Sequence, residues 1–147
     1  MTALLDHAGI EALIPHRGAM CLLDHLLDWS PTRIHCRAIG HAAPDHPLRT
    51  ARGLLACHAI EYAAQAAALH GGLLAREAGA VAAPGFLASA RGVQLHRLRL
   101  DDLAGPLDVV AERMAGDERQ LLYSFTLGHA GITVAQGRLA VVLNFTP

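Results

Sequence analysis

Apolar residues recur at helical spacing through HAGIEALI, from His7 to Ile14, and stop at Pro15. Proline disfavours helix in the residue before it, so the pattern predicts a short opening helix over residues 7–14. An apolar run from Met20 to Leu27, the pair Ser30-Pro31 and an alternating segment from Arg33 to Ile39 predict two strands joined by a turn. Residues 40–52, GHAAPDHPLRTAR, hold no sustained period and read as a loop, the kind of segment in which function concentrates. From Gly53 the chain changes character. LLACHAIEYAAQAAALHGG is dominated by Ala and Leu and contains no Pro. This predicts a helix of about 17 residues, roughly 26 Å long, with Gly71-Gly72 as its C-cap. The helix is apolar on nearly all sides, as expected of one wrapped by other structure. AREAGAVAAPG then reads as a connector.

Four longer segments follow: GFLASARGVQLHRLRL, PLDVVAERMAG, ERQLLYSFTLG and GITVAQGRLAVVL, separated by LAGP, GDE and HAG turns. Their alternation of apolar and polar residues predicts three or four long strands in an antiparallel meander. A long helix buried by one curved antiparallel sheet is an α+β arrangement. No internal repeat or low-complexity tract interrupts it.

A chain of 147 residues suits a single domain, 1–147. With 52% hydrophobic and 17% charged residues, it is rich in apolar side chains for a monomer, so part of its surface is expected to meet a partner subunit. A net charge of -1 provides no field to hold nucleic acid. The apolar stretch from Ala63 to Ala75 is interrupted by Gln65, His70 and Gly71-Gly72 and falls short of the roughly 20 residues a membrane span requires. No basic segment followed by an apolar run opens the chain, so a cytoplasmic location is expected. Cys21, Cys36 and Cys57 are odd in number, widely spaced and in apolar contexts, and read as buried reduced thiols. The ten histidines are scattered instead of clustered with carboxylates, so neither a metal site nor a cofactor is expected.

Polar residues inside the long helix are therefore informative. Glu61 and Gln65, at i and i+4, share a face, with His58 at i-3 on the same side. A buried carboxylate must be paired or face a pocket, and a carboxyl in a desolvated site is suited to acid–base work near neutral pH. The alternative is a Glu that reaches solvent at a helix edge or pairs with an arginine. In the loop before the helix, Asp45-His46-Pro47 places a histidine near a helix N-terminus, where free N–H groups can stabilise a developing oxyanion. His46 can equally be an ordinary surface histidine, and His41 is a weaker rival. Gly53 would let a ligand carbonyl approach the backbone closely. Tyr62, His58 and His70 are assigned to packing or pocket lining.

Three segments carry a family resemblance. IEALIPHRGAMCLLD, IEYAAQAAALHG and FLASARGVQLHRLRLDDLAGPLDVVAERM are similar to the opening, the helix and the strand pair of the 3-hydroxyacyl-carrier-protein dehydratases. HPLR, GLLACHAIEYAAQ and the C-terminal half resemble the divergent branch associated with aryl-polyene lipid clusters. The resemblance implies a hot-dog fold and a homodimer or higher assembly, with a heterodimer of related dehydratases also open. It implies that each active site takes its histidine from one subunit and its Glu from the other. The implied substrate is an acyl thioester on acyl carrier protein, dehydrated to a trans-2-enoyl thioester. Residue by residue, Glu61 matches the catalytic Glu, Gln65 the helix Gln and His46 the catalytic histidine. The helix start near Gly53 supplies N–H groups to the thioester carbonyl. The loop departs from the family's His-Phe-Pro-Gly, reading His46-Pro47-Leu48-Arg49.

Arg49, Arg52, Arg91, Arg97 and Arg99 could form a basic rim for the acidic carrier protein, or simply a solvated face. Two other functions fit the pattern. One is a hot-dog acyl-thioesterase, in which the helix carboxylate activates water. The other is a catalytically degenerate partner subunit that pairs with an active homologue.

Overall fold

The computed structural model describes residues 2–143. Helix α1 spans His7–Glu11 and is capped by Asp6, whose carboxylate accepts from the Gly9 N–H. Strands β1 (His25–Trp29) and β2 (Arg33–Ala38) form a hairpin, and helix α2 runs Ala59–Glu77. Four strands complete the chain: β3 (Gly85–Leu95), β4 (Leu107–Gly116), β5 (Gln120–His129) and β6 (Ile132–Leu143). All six strands form one antiparallel sheet in the order β1-β2-β4-β5-β6-β3. With α2 wrapped by this sheet, the fold is the hot-dog arrangement that the resemblance implies.

Alternation explains which face is inward. Ile34, Cys36 and Ala38 of β2, Leu107, Val109 and Ala111 of β4, and Tyr123, Phe125 and Leu127 of β5 are all buried. Their registers align them in rows, Cys36 opposite Val109 and Val109 opposite Leu127. Against these rows α2 presents Ala59, Tyr62, Ala63, Ala66, Leu69 and Leu73, also buried. The alanines keep that helix face thin, so the sheet can close on it. Each fully buried Leu removes its whole side chain from water, worth about 1.5–3 kcal/mol.

Three expectations need correction. Gly71-Gly72 do not end the helix; α2 continues to Glu77, and Gly79, with φ +68°, takes the left-handed position beyond its end. Gly72 is there for packing: a Cβ on it would lie 2.8 Å from the Leu13 carbonyl oxygen. At its other end the α-helix begins at Ala59, after a 3-10 turn over Ala56–His58, instead of near Gly53. The Met20–Leu27 run is not one strand, because Gly18–Met20 is a 3-10 turn and β1 starts at His25. Finally, the last four strands are not a simple meander. β3 pairs with β6, and β4 with β2. The segment between β3 and β4 leaves the sheet to pack on the approach to α2, where the Leu100 N–H donates to the Leu54 carbonyl and the Ala56 N–H to the Leu98 carbonyl. This separation leaves β3 as an outer edge on which Phe86, Leu87 and Leu95 are exposed.

Candidate active site

Glu61 sits in the first turn of α2, its side chain 31% exposed, at the wall of a cavity of about 910 Å³. The cavity runs along one face of the helix, past Ala64, Ala68 and Gly71, and is closed on its far side by residues of β3, β5 and β6. Small helix residues leave room for an extended apolar ligand, and a carboxyl is placed at one end of that space. Arg76 and Tyr123 are the other titratable side chains of the wall besides Glu61 and His16.

Gln65 is fully buried, and its amide hydrogen-bonds in three directions. Oε1 accepts from the Leu22 N–H (2.8 Å), while Nε2 donates to the Met20 carbonyl (2.8 Å) and to Glu61 Oε1 (3.0 Å). Both of its N–H donors are thus used, one to pin the chain before β1 and one to hold the carboxylate. Gln65 orients Glu61.

The same Glu61 oxygen meets a residue the sequence reading did not single out: His16 Nε2 lies 3.1 Å from Oε1. Its loop is firmly held. Pro15 restricts the backbone, Arg17 donates to the carbonyls of Glu11, Ile14 and His16, and the Glu11 carboxylate accepts from the Gly18 N–H. The signal was present as Pro15-His16-Arg17: a rigid residue and a carbonyl-gathering guanidinium flanking a titratable ring.

His46 occupies a different place. It is buried, and lines a second, smaller cavity of about 210 Å³ with Asp24, Asp45 and Tyr62. Nδ1 faces the Leu48 N–H at 3.1 Å and must accept from it; the ring proton is therefore on Nε2, which donates to the Tyr62 hydroxyl at 3.0 Å. Burial lowers the His46 pKa, and the nearby His58, His41 and Arg49 lower it further, against the opposing Asp45. Within one chain, His46 and Glu61 share neither a cavity nor a hydrogen bond.

His58 is the half-buried residue just before α2 and lines neither cavity. Gly53 has φ +96° and approaches the Asp101 carboxylate, where a Cβ would meet Oδ1 at 2.5 Å. Asp101 accepts from the Leu54 N–H (2.9 Å) and pairs with Arg99 and Arg49. The space beside Gly53 is thus filled by protein side chains. Of the five rim arginines, Arg49 and Arg99 are tied to Asp101, and Arg97 to Asp102 at 3.0 Å. Arg52 and Arg91 form no ion pair among the described residues. No group of His, Cys, Asp and Glu suited to a metal ion occurs among the described residues, and no described helix is long and apolar enough to cross a membrane.

No curated protein matches the sequence. Among solved structures, the dehydratase heterocomplex ApeI:P from Xenorhabdus doucetiae is similar with a TM-score of 0.84 at 22% identity, covering 93% of this chain and 91% of that one. A thioesterase family protein from Silicibacter pomeroyi gives a TM-score of 0.64 at 14% identity, over 92% and 96% of the two chains. A hypothetical thioesterase from Streptococcus pneumoniae, solved with coenzyme A, gives 0.56 at 9%, over 82% and 84%. These likenesses establish the fold. A family model described as ApeP dehydratase matches residues 8–145, and with nearly the whole chain matched, the protein belongs to the ApeP-like dehydratase family.

Proposed function

We propose that this protein dehydrates a 3-hydroxyacyl thioester, carried on acyl carrier protein, to the trans-2-enoyl thioester in aryl-polyene lipid synthesis. The observation that carries the reading is the placement of Glu61: one carboxyl, oriented by Gln65, at the wall of a long apolar cavity. The acyl chain lies along α2 and the 3-hydroxyl comes to the carboxyl. A base takes the proton from C2, the electron pair of that C–H bond becomes the new double bond, and the C3–O bond breaks. Glu61 gives its proton to the departing oxygen, which leaves as water. Solvent then returns the proton from the base to Glu61.

The family resemblance assigns the base to His46, delivered by a neighbouring subunit. The ring geometry favours a second arrangement. His46 Nδ1 accepts from the backbone and its Nε2 proton is directed at Tyr62, so this ring has no free lone pair to receive a proton. In that arrangement the chain contributes Glu61, and the histidine comes from an unlike dehydratase subunit, as in a heteromeric assembly. The exposed edge of β3, with Phe86 and Leu87 uncovered, offers a strand for such a subunit to extend.

The test is enoyl absorbance from a 3-hydroxyacyl carrier-protein thioester, with wild type, Glu61→Gln and His46→Ala compared. Glu61→Gln is expected to lower turnover about 100-fold or more. A matching loss in His46→Ala supports the two-residue site in this chain. Retention of turnover by His46→Ala alongside loss in Glu61→Gln supports the base from another subunit. Release of free thiol without enoyl product would establish a thioesterase and overturn the dehydratase reading.

A further inference from the structure

We infer that His16 is a positioning residue of the Glu61 site: its ring, with Gln65, engages Oε1 and thereby reserves Oε2 for the substrate. The inference rests on the dehydratase reading above and deepens it. Two nitrogens converge on one carboxylate oxygen: Gln65 Nε2 donates to it at 3.0 Å, and His16 Nε2 lies at ion-pair distance from it, 3.1 Å. No hydrogen bond to Oε2 is made among the described residues, and Glu61 opens onto the acyl cavity. An oxygen that accepts the Gln65 N–H and has the His16 ring against it is crowded, so the transferable proton of Glu61 belongs on Oε2. Once that proton has gone to the leaving hydroxyl, the carboxylate charge falls on an oxygen whose polar partners are already in place. Such preorganisation costs no rearrangement at the moment of reaction.

The other side of the ring limits what His16 can do. Nδ1 is buried and has no hydrogen-bond partner among the described residues. A neutral ring with its proton on Nε2 suits this arrangement, because the buried Nδ1 then carries only an unpartnered lone pair. Protonation would place an N–H on Nδ1 with nothing to accept it, and would set a full positive charge against Glu61. An imidazolium beside the carboxyl favours the carboxylate and withdraws the acid from the reaction. The charged and titratable groups around the ring are Glu11 and Arg17 from α1 and its loop, Glu61 and Arg76 from α2, and Tyr123 from β5. Of these, only Glu61 is within ion-pair distance of the ring.

The experiment compares wild type, His16→Ala and His16→Gln in steady-state dehydration. Gln restores a polar N–H group at the position of Nε2. His16→Ala is expected to lower kcat about tenfold with little change in KM, the effect of one missing polar contact in the transition state. His16→Gln should recover most of kcat. Full activity in His16→Ala, or no recovery in His16→Gln, would overturn the proposal. A second readout needs no turnover: ring nitrogen chemical shifts of His16 followed against pH in wild type and in Glu61→Gln. A proton held on Nε2 in wild type but not in Glu61→Gln supports the pairing even if no enoyl product forms, in which case the dehydratase reading alone fails. Identical titration in the two proteins sinks the pairing, whatever the activity.

Discussion

Gly72, in the middle of α2, touches the carbonyl of Leu13 so closely that a Cβ there would stand 2.8 Å from the oxygen. The atom in the way is backbone, which cannot swing aside as a side chain would. Gly72→Ala is therefore expected to destabilise the protein by about 1–3 kcal/mol, the usual cost of overpacking. Its neighbour is the control. A Cβ on Gly71 would meet nothing within 4 Å, so Gly71→Ala should gain about 0.5–1 kcal/mol from helix propensity. Thermal unfolding of both variants checks the pair: Tm should fall for one and rise for the other. Because Gly71 lines the cavity proposed to hold the acyl chain, the stabilised variant should, on that proposal, also turn over long acyl chains less well than short ones.

These two glycines show how far the sequence could be read. Helix signals in the Ala- and Leu-rich segment located α2, and alternation located all four long strands, because both patterns are set by which face meets the core. Gly71-Gly72 look like a cap, and only the approach of Leu13 from a distant segment explains why the helix runs through them. β3 belongs beside β6 for a similar reason, since pairing partners depend on where the 96–106 segment packs. At the site, Glu61 and Gln65 were legible as polar residues on an apolar helix. His16 was not, because its 45-residue separation from Glu61 is bridged only in the folded chain.

His70 links the pH dependence of stability to the core. It is fully buried, donates from Nε2 to the Ser30 carbonyl (2.8 Å) and accepts at Nδ1 from the Tyr123 hydroxyl (2.7 Å). Accepting at Nδ1 needs the neutral ring. Burial lowers its pKa, the Ser30 hydrogen bond works against that shift, and Arg113 adds to it; His46 is lowered in the same direction, again chiefly by burial. A depressed folded-state pKa means that the unfolded chain takes up protons first as pH falls. Stability is therefore fully present above about pH 6.5 and declines below it, by up to about 1.4 kcal/mol per pH unit for each such ring. Tm measured from pH 7.5 to 5 should show this decline, and a His70→Gln variant should show a shallower one. An equal slope in the variant would assign the acid sensitivity elsewhere.

The three thiols should separate by reactivity. Cys36 is buried among apolar neighbours, and desolvation pushes its pKa up to about 12; burial raises that of Cys21 as well. Cys57, just before α2, is exposed, which corrects the expectation that all three thiols are buried. The thiolate is the reacting species, so a disulfide reagent at neutral pH is expected to modify one thiol rapidly and the other two only on unfolding. A Cys57→Ser variant should abolish the fast phase. Rapid loss of two or more thiols from folded protein would contradict the burial of Cys21 and Cys36.

Gln65 allows the orientation of Glu61 to be tested apart from its presence. Gln65→Leu removes three hydrogen bonds and leaves the Leu22 N–H and the Met20 carbonyl without their partner, at about 1–3 kcal/mol for each group left buried and unpaired. Its Glu61 keeps the carboxyl but loses the hydrogen-bond donor at Oε1, so kcat should fall while the cavity and KM change little. Gln65→Glu keeps the shape and inverts the chemistry. An ionised carboxylate at that position faces the Met20 carbonyl and the Glu61 carboxylate with no donor for either. The two like charges disfavour joint ionisation, so one carboxyl is expected to hold a proton in the folded state at a pH where both would ionise in the unfolded chain. At this pair the folded state then binds more protons than the unfolded one, so stability of Gln65→Glu should fall less steeply than that of wild type as pH is lowered from 7 toward 5. The pair's contribution is opposite to the trend His70 imposes on both proteins, so the difference in Tm between them should narrow with falling pH. A constant difference across that range would mean that residue 65 and Glu61 do not meet.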